Sequence, residues 1–277
     1  MRTKTFIMCL SLGLAASLTS CSFENQLEGD DVISSSEKGK LALDLKSGVE
    51  FATMTRVVDE STYQDFDNYN VEITDSRGNS QFSGSFATLR SRLPLELDLG
   101  SYDITASYGT ERAYSRDEFL VTGSDHFTIQ GGRTITCTVN CAPTAGKVLV
   151  EFDASMDTYC DTYSVDFSGT TALGTSVAHW GKSDTAPYYL AISENGETVN
   201  YTIYLTAKAD YAAMMGNDKV TEATATGSFS LERNKAKKLK VSANYTASTE
   251  GGLKINVEID ETTNDIPVTI EVPVTWI

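Results

Sequence analysis

Histidine and cysteine are the residues of this chain that could bind a metal ion or act as nucleophiles. The 277 residues include two histidines and five cysteines. His126 and His179 have no third partner in the sequence, so a histidine-based metal centre or a catalytic triad lacks parts. No histidine or further cysteine stands at ligand spacing from Cys137 and Cys141, which disfavours a metal site. Nucleophile-elbow, phosphate-loop and metalloprotease motifs are also missing. We therefore predict a protein that is not an enzyme and has no metal or cofactor.

The stretch from His179 to Tyr189 is rich in aromatic residues and is predicted to be a loop. Exposed aromatic faces can stack on sugar rings, so Trp180, Tyr188 and Tyr189 are candidates for a glycan platform. The alternative is that Trp180 and one of the tyrosines fill a hydrophobic core. Exposure of all three rings on one flat face would favour the first interpretation. Sugar hydrolysis by two carboxylates also stays open, because 38 acidic residues supply many chance pairs.

Cys21 follows a short apolar segment near the start of the chain. A basic start, the apolar residues 7–18 and several small residues form the layout of a secretory signal. The apolar run of about 12 residues is too short for a membrane-spanning helix, which needs about 20.

The residues Leu18-Thr19-Ser20-Cys21 resemble the bacterial lipobox, in which the cysteine thiol is acylated and its amine becomes the new N-terminus. The resemblance implies a lipoprotein signal peptide over residues 1–20 and a lipid anchor at Cys21. The alternative is an ordinary signal that is cut near Ser20 and releases a secreted protein.

The charge of the chain excludes some classes of partner. Residues 21–38 are acidic and rich in serine, which predicts a flexible stalk. The formal net charge is −16, and removal of residues 1–20, which hold bases but no acid, makes it more negative. This charge opposes binding to nucleic acid and to anionic lipid. Because the acids are scattered, we interpret them as a solubilising surface.

Three cysteines remain after Cys9 and Cys21 are set aside. Cys137 and Cys141 lie in one predicted strand, where four residues span about 13 Å. A disulfide needs Cα atoms within about 7 Å, so these two cannot pair while the strand is straight. We expect them to fill the core, and a bridge from Cys141 to Cys160 is the alternative.

Strict alternation of apolar and polar residues predicts β-strands, because side chains at i and i+2 share one face. The clearest rows run over residues 41–45, 95–99, 102–108 and 135–141. Strands with one solvent-exposed face and one buried face indicate an all-β protein with antiparallel sandwiches. Residues 59–66 and 210–215 are predicted to be short helices.

The strand pattern begins again after roughly one domain length. Gly146-Lys147 precedes an apolar row, just as Gly39-Lys40 does. We interpret this as two tandem β-sandwich domains, residues 39–142 and 145–277, that meet near Pro143.

The last part of the chain holds two alternating rows, over residues 253–259 and 266–276. Pro267 and Pro273 remove ladder hydrogen bonds, so the last strand should lie at a sheet edge. It is predicted to complete the second sandwich as a hairpin, or else to pair with another subunit by strand addition.

The segments 39–45 (GKLALDL), 69–75 (YNVEITD), 99–109 (LGSYDITASYG) and 147–152 (KVLVEF) resemble the domain-of-unknown-function family 4493 of Bacteroides-type surface lipoproteins. More distantly, the chain is similar to fimbrillin-like proteins, which have two transthyretin-like β-sandwich domains. The resemblance covers essentially the whole chain after the signal and carries over no catalytic residue.

This resemblance implies an outer-membrane lipoprotein at the cell surface, with a role in adhesion or pilus-like assembly and a protein or glycan as partner. The alternative function is carbohydrate binding for nutrient capture. The side of the outer membrane stays open, although acidic residues directly behind Cys21 favour the outer face.

Overall fold

Strands that alternate buried and exposed residues make up most of the described chain. The computed structural model describes residues 37–49, 51, 60–210, 222–246, 252–261, 268–272 and 275–276. These residues form 18 strands, two short α-helices and two 3-10 helices. The all-β prediction is therefore confirmed.

Eight strands, one α-helix and both 3-10 helices lie in the part of the chain up to Pro143, which we call the first half. They are β1 (Lys38–Ser47), the 3-10 helices Glu60–Gln64 and Phe66–Asn68, β2 (Asn70–Asp75), β3 (Ser80–Ser85), α1 (Phe86–Arg90), β4 (Leu95–Asp98), β5 (Gly100–Tyr108), β6 (Tyr114–Ser115), β7 (Val121–Ile129) and β8 (Thr134–Pro143).

The remaining elements lie in the second half. They are β9 (Ala145–Phe152), α2 (Ala154–Tyr159), β10 (Cys160–Ser168), β11 (Ala178–Gly181), β12 (Tyr188–Ala191), β13 (Glu197–Ala207), β14 (Glu222–Leu231), β15 (Ala236–Thr246), β16 (Gly252–Glu261), β17 (Val268–Val272) and β18 (Thr275–Trp276).

The strands form three sheets. The first half has a seven-stranded sheet in the order β3-β2-β5-β7-β8-β1-β4. The second half has a five-stranded sheet, β11-β10-β13-β14-β18, and a six-stranded sheet, β17-β16-β15-β9-β12-β6. The short strand β6 comes from the first half but pairs with β12, so the two halves share a sheet.

The seven-stranded and six-stranded sheets are mixed, which corrects the prediction of purely antiparallel sandwiches, whereas the five-stranded sheet is antiparallel throughout. Strand β1 runs parallel to β8, from Lys40 opposite Thr134 to Ser47 opposite Cys141. Strand β9 runs parallel to β15 in the same way. In each half a long connection brings a late strand beside the first one, and such a connection allows the two to run in the same direction.

Two hydrophobic cores lie in the described residues. One is built from residues 41–145 together with Tyr189, and the other from residues 148–257. The prediction of two tandem domains, over residues 39–142 and 145–277, stays a prediction. Tyr189 and β6 both cross that division.

Local details differ from the predictions in several places. Leu99 ends its apolar row but is 49% exposed, because β4 stops at Asp98. The first predicted helix is a 3-10 helix, and most of the second lies outside the described residues. Two helices that were not predicted, α1 and α2, follow the N-caps Ser85 and Asp153. The side chains of these caps accept hydrogen bonds from backbone N–H groups.

The end of the chain confirms the predicted hairpin and its edge position. Strand β17 pairs antiparallel with β16 and lies at one edge of the six-stranded sheet. The predicted last strand is nevertheless divided, since β18 pairs with β14 at the edge of the other sheet.

Candidate functional site

The three candidate aromatic residues lie in strands, so the loop prediction is wrong. Trp180 belongs to β11, and Tyr188 and Tyr189 belong to β12. Their exposed fractions are 0%, 8% and 1%. Trp180 and Tyr188 fill the core of the second half, as the alternative interpretation predicted. Because the strands turn these rings inward, they do not form a flat exposed platform for a sugar.

Trp180 and Tyr188 instead hold an arginine from the first half. The guanidinium carbon of Arg116 lies 3.8 Å from the ring centroid of Tyr188 and 4.8 Å from that of Trp180. Its Nη2 atom donates to Asp184 Oδ2 at 2.7 Å, and its Nη1 atom donates to the carbonyl of Ala186. We call these four partners the Arg116 seat. A planar guanidinium can stack and donate at the same time, which a lysine cannot do.

Tyr189 takes part in a second contact between the halves. Its hydroxyl donates to Oε1 of Glu60 at 2.8 Å, and Nζ of Lys147 donates to the same oxygen at 2.8 Å. The Lys147 side chain is 0% exposed and that of Glu60 is 10% exposed. We call Glu60, Lys147 and Tyr189 the junction cluster. Burial of a charged pair is tolerated only when both groups find partners, as they do here.

Aromatic rings surround the junction cluster. The ring of Phe119 lies 4.6 Å from that of Tyr189 and is stacked on Tyr63 at 4.0 Å. The ring of Phe51 lies 5.5 Å from that of Tyr189. Burial raises the pKa of the Tyr189 hydroxyl, and its hydrogen bond to the Glu60 carboxylate raises it further. Tyr189 therefore stays a neutral hydrogen-bond donor and is not a candidate base.

Each histidine forms a pair with an aspartate on a neighbouring strand. Nδ1 of His126 lies 2.9 Å from Oδ1 of Asp103, and Nδ1 of His179 lies 2.6 Å from Oδ1 of Asp166. Both histidine side chains are about 60% exposed, on the outer faces of their sheets. The described residues include no group of three or more His, Cys, Asp or Glu side chains that could hold a metal ion.

The three cysteines of the described chain are buried and unbridged, which confirms the core-filling prediction and excludes the alternative bridge. Burial, together with a hydrogen bond to Asp125, raises the pKa of Cys137 to about 12. Burial raises the pKa of Cys141 and Cys160 to about 11. These thiols are protonated at neutral pH and are poor nucleophiles.

Sequence reasoning missed Arg116, Glu60 and Lys147. Lys147 carried a signal, because Gly146-Lys147 repeats Gly39-Lys40 at the start of the other half. Lys40, however, is half exposed and lies 3.8 Å from Glu96. The repeat therefore marked the position of the lysine but not its burial.

The remaining candidate, Cys21, lies outside the described residues, as does the whole predicted signal and stalk up to residue 36. Among the described helices, none is long and apolar enough to span a membrane.

A family model described as "Domain of unknown function (DUF4493)" matches residues 37–274. No curated protein matches the chain. Among solved structures, the chain is similar to a fimbrial assembly protein from Parabacteroides distasonis, with 10% identity, a TM-score of 0.45 and coverage of 84% of this chain and 98% of the other. It is also similar to the fimbrial anchor protein Mfa2 from Porphyromonas gingivalis, with 11% identity, a TM-score of 0.40 and coverage of 85% and 100%.

Proposed function

We propose that this chain, which belongs to the DUF4493 family, is a non-catalytic lipoprotein of the cell surface with an adhesive or fimbrillin-like structural role. In this proposal an acyl group on Cys21 holds the protein in the outer membrane, and residues 21–38 connect the anchor to the β-sheet body. The body presents its surface to a protein or glycan partner.

The observation that carries the structural role is that two sets of polar contacts join the halves, of which the junction cluster is buried and the Arg116 seat is partly exposed. The Arg116 seat and the junction cluster each connect a side chain of the first half to partners in the second half. Both sets lie among aromatic rings and satisfy their charges internally. Both sets resist separation of the halves. The effect is strongest at the buried Glu60–Lys147 pair, because breaking a buried pair leaves an uncompensated charge. Such a connection suits a body that transmits force between an anchor and a partner.

A strand edge that is only partly paired among the described residues supports a role in protein interaction. Within the described chain, β18 pairs with β14 only at Ala223 and Thr224. Residues 225–231 of β14 pair with β13 on their other side. A strand edge with free backbone N–H and C=O groups can receive an extended segment from another chain.

The anchor is tested by acylation and fractionation of the full chain in its bacterial host. Cys21→Ala should abolish incorporation of a palmitate label and move the protein from the membrane to the soluble fraction. Cys9→Ala lies within the predicted signal and should leave both readouts unchanged. Retention of Cys21→Ala in the membrane fraction would contradict the anchor.

The surface location and the adhesive role need two further measurements. Protease added to intact cells should digest the anchored protein, and cells that lack it should adhere less to host or partner surfaces. Protection from protease would place the protein on the periplasmic side and contradict the surface role.

A further inference from the structure

The outer face of the five-stranded sheet carries a depression. It adjoins the Arg116 seat, because Arg116 Nη2 also donates to the carbonyl of His179 at 3.2 Å and the Gly181 N–H donates to Asp184 Oδ2 at 2.8 Å. Ser164 of β10 stands opposite Tyr204 of β13 on one side and opposite Gly181 of β11 on the other. The three residues form one row across the sheet, in which adjacent strands are about 4.8 Å apart. Two small residues beside a large one leave an open floor next to the tyrosine ring.

Tyr204 forms one wall of this depression, whose volume is about 490 Å³. Its side chain is one of the few large apolar groups of the described chain that is exposed, at 43%. Strand β13 is paired with β10 and β14 on its two sides, so the ring stands on a rigid central strand. An exposed ring held in this way offers a stacking surface for a flat apolar face.

His179 forms the opposite wall. Its Nδ1 atom must donate to Asp166, because an ionised carboxylate only accepts hydrogen bonds. In the neutral ring, Nε2 is therefore an acceptor. That atom would lie 3.8 Å from a Cβ built on Gly181, so it borders the floor and is available to a ligand hydroxyl.

Hydroxyl and carboxylate groups complete one end of the depression. Thr162 Oγ1 donates to Thr206 Oγ1 at 2.9 Å, which leaves the hydroxyl hydrogen of Thr206 for another acceptor. Glu222 stands opposite Thr206 on the next strand and is exposed. Donors and acceptors thus line the same depression as an aromatic ring, which is the combination that a sugar requires.

The charges of the site favour a neutral ligand. Glu222 lines the depression, Asp166 is hydrogen-bonded to the lining residue His179, and the whole chain has a net charge of −16, so an acidic ligand is repelled. Lys182, the cation of the lining, is paired with Asp157 at 2.5 Å. The aliphatic lining residues Leu205 and Ala223 are only 3% and 1% exposed, which leaves no pocket for an apolar peptide side chain.

We infer that this depression, the Tyr204 trough, bounded by Tyr204, Ser164, Gly181 and His179, binds a neutral saccharide with one sugar ring stacked on Tyr204. The inference rests on the proposed function in one respect, because it names the chemistry through which a surface protein would adhere. Binding itself does not require the lipid anchor.

The test is binding of the purified full chain to an array of neutral hexose oligomers and their sialylated and sulfated counterparts. Neutral oligomers should be bound. Tyr204→Ala should weaken the best of them about tenfold, because a stacking contact and its buried area are lost. Gly181→Leu should also weaken binding by filling the floor, and a Cβ at this position makes only ordinary contacts.

Matched variants separate stacking from damage to the fold. Tyr204→Phe keeps the ring and should bind like the unmodified chain. Tyr114→Ala removes another exposed tyrosine, which is 38% exposed, and should have no effect. His179→Ala removes the Nε2 acceptor and should weaken binding. His126→Ala is its control and should not, because both histidines pair with an aspartate but only His179 lines the trough.

Three results would overturn the inference. They are the absence of any neutral ligand, stronger binding of acidic counterparts, and full binding by Tyr204→Ala and Gly181→Leu variants whose thermal unfolding is unchanged. None of these results bears on the Cys21 anchor, which is measured by acylation. A failed anchor would likewise leave binding by the purified chain intact.

Discussion

Nζ of Lys147 lies 2.8 Å from Oε1 of Glu60, and the two residues are separated by 87 positions in the chain. The contact connects the first strand of the second half to a 3-10 helix of the first half. Tyr189 donates to the same carboxylate oxygen, so that one buried acid receives hydrogen bonds from two donors. The halves are therefore joined by a charged contact inside an aromatic environment.

Replacing Lys147 should destabilise the fold strongly. Lys147→Met leaves the Glu60 carboxylate buried beside an apolar side chain, and we expect a loss of about 3–5 kcal/mol in the free energy of unfolding. The double variant Glu60→Gln/Lys147→Met removes both charges and should recover most of that loss. Urea unfolding of the unmodified chain, Lys147→Met, Glu60→Gln and the double variant measures the coupling energy between the two side chains.

The control for this cycle is Lys40→Met, which changes the lysine at the repeated position of the first half. Lys40 is half exposed, so its replacement should change stability by no more than about 0.5 kcal/mol. Equal effects of Lys147→Met and Lys40→Met would contradict the role of burial.

The Arg116 seat should require a guanidinium rather than a positive charge. Arg116→Lys keeps the charge but loses the stacked plane and at least one hydrogen bond, which we expect to cost about 1–3 kcal/mol. Arg112→Lys is the matched change, because Arg112 pairs with Glu118 and is 58% exposed. Its effect should stay within about 0.5 kcal/mol. Chemical denaturation compares the two, and full stability of Arg116→Lys would show that the seat needs only charge.

Two buried tyrosines should respond oppositely to loss of the hydroxyl. The Tyr69 hydroxyl donates to the carbonyl of Tyr63 at 2.7 Å, so Tyr69→Phe should lower stability by about 1 kcal/mol. The Tyr201 hydroxyl is buried and has no hydrogen-bond partner among the described residues. Tyr201→Phe should therefore leave the unfolding midpoint unchanged or raise it. A clear loss of stability in Tyr201→Phe would reveal a partner for that hydroxyl.

The buried thiols predict a decline of stability in alkali. Burial raises the pKa of Cys141 and Cys160 from 9.0 to about 11. The folded chain then holds more protons than the unfolded chain over this range. The stabilising contribution is complete below pH 9 and is lost as the pH rises through the folded pKa values.

The thiol prediction is measured by unfolding at successive pH values and by alkylation. Iodoacetamide at neutral pH should modify these cysteines only in denaturant. Cys141→Val should show a shallower alkaline decline than the unmodified chain, since one raised pKa is removed. Rapid alkylation of Cys141 or Cys160 in the native protein would contradict burial of these thiols.

Strand positions could be predicted because the burial of alternate residues appears in a short stretch of sequence as alternating apolar and polar residues. The row of Leu41, Leu43 and Leu45 lies in β1, and all three residues are buried. The prediction failed where local sequence is ambiguous. The stretch around Trp180 and Tyr188 contains two four-residue strands joined by a turn, and its aromatic residues gave no regular period.

The candidate site was harder to predict than the strands. The sequence left open whether Trp180 and Tyr188 are exposed or fill the core, because exposure depends on which elements cover them. Tyr204 lies among the regularly alternating residues of a strand and belongs to no sequence motif. Its surroundings, Ser164 and Gly181, are adjacent only through sheet pairing. No spacing along the chain indicates that a floor of small residues lies beside it.

By itself, the sequence determined the all-β class, the strand rows, their repetition and the buried cysteines, because each depends on residue type and short spacing. Only the tertiary structure decided that β1 and β9 pair with parallel partners, that Lys147 is buried while Lys40 is half exposed, and that Tyr204 borders an open floor. These features arise from contacts between distant segments. Such contacts are set by the packing of whole sheets, which a local pattern does not record.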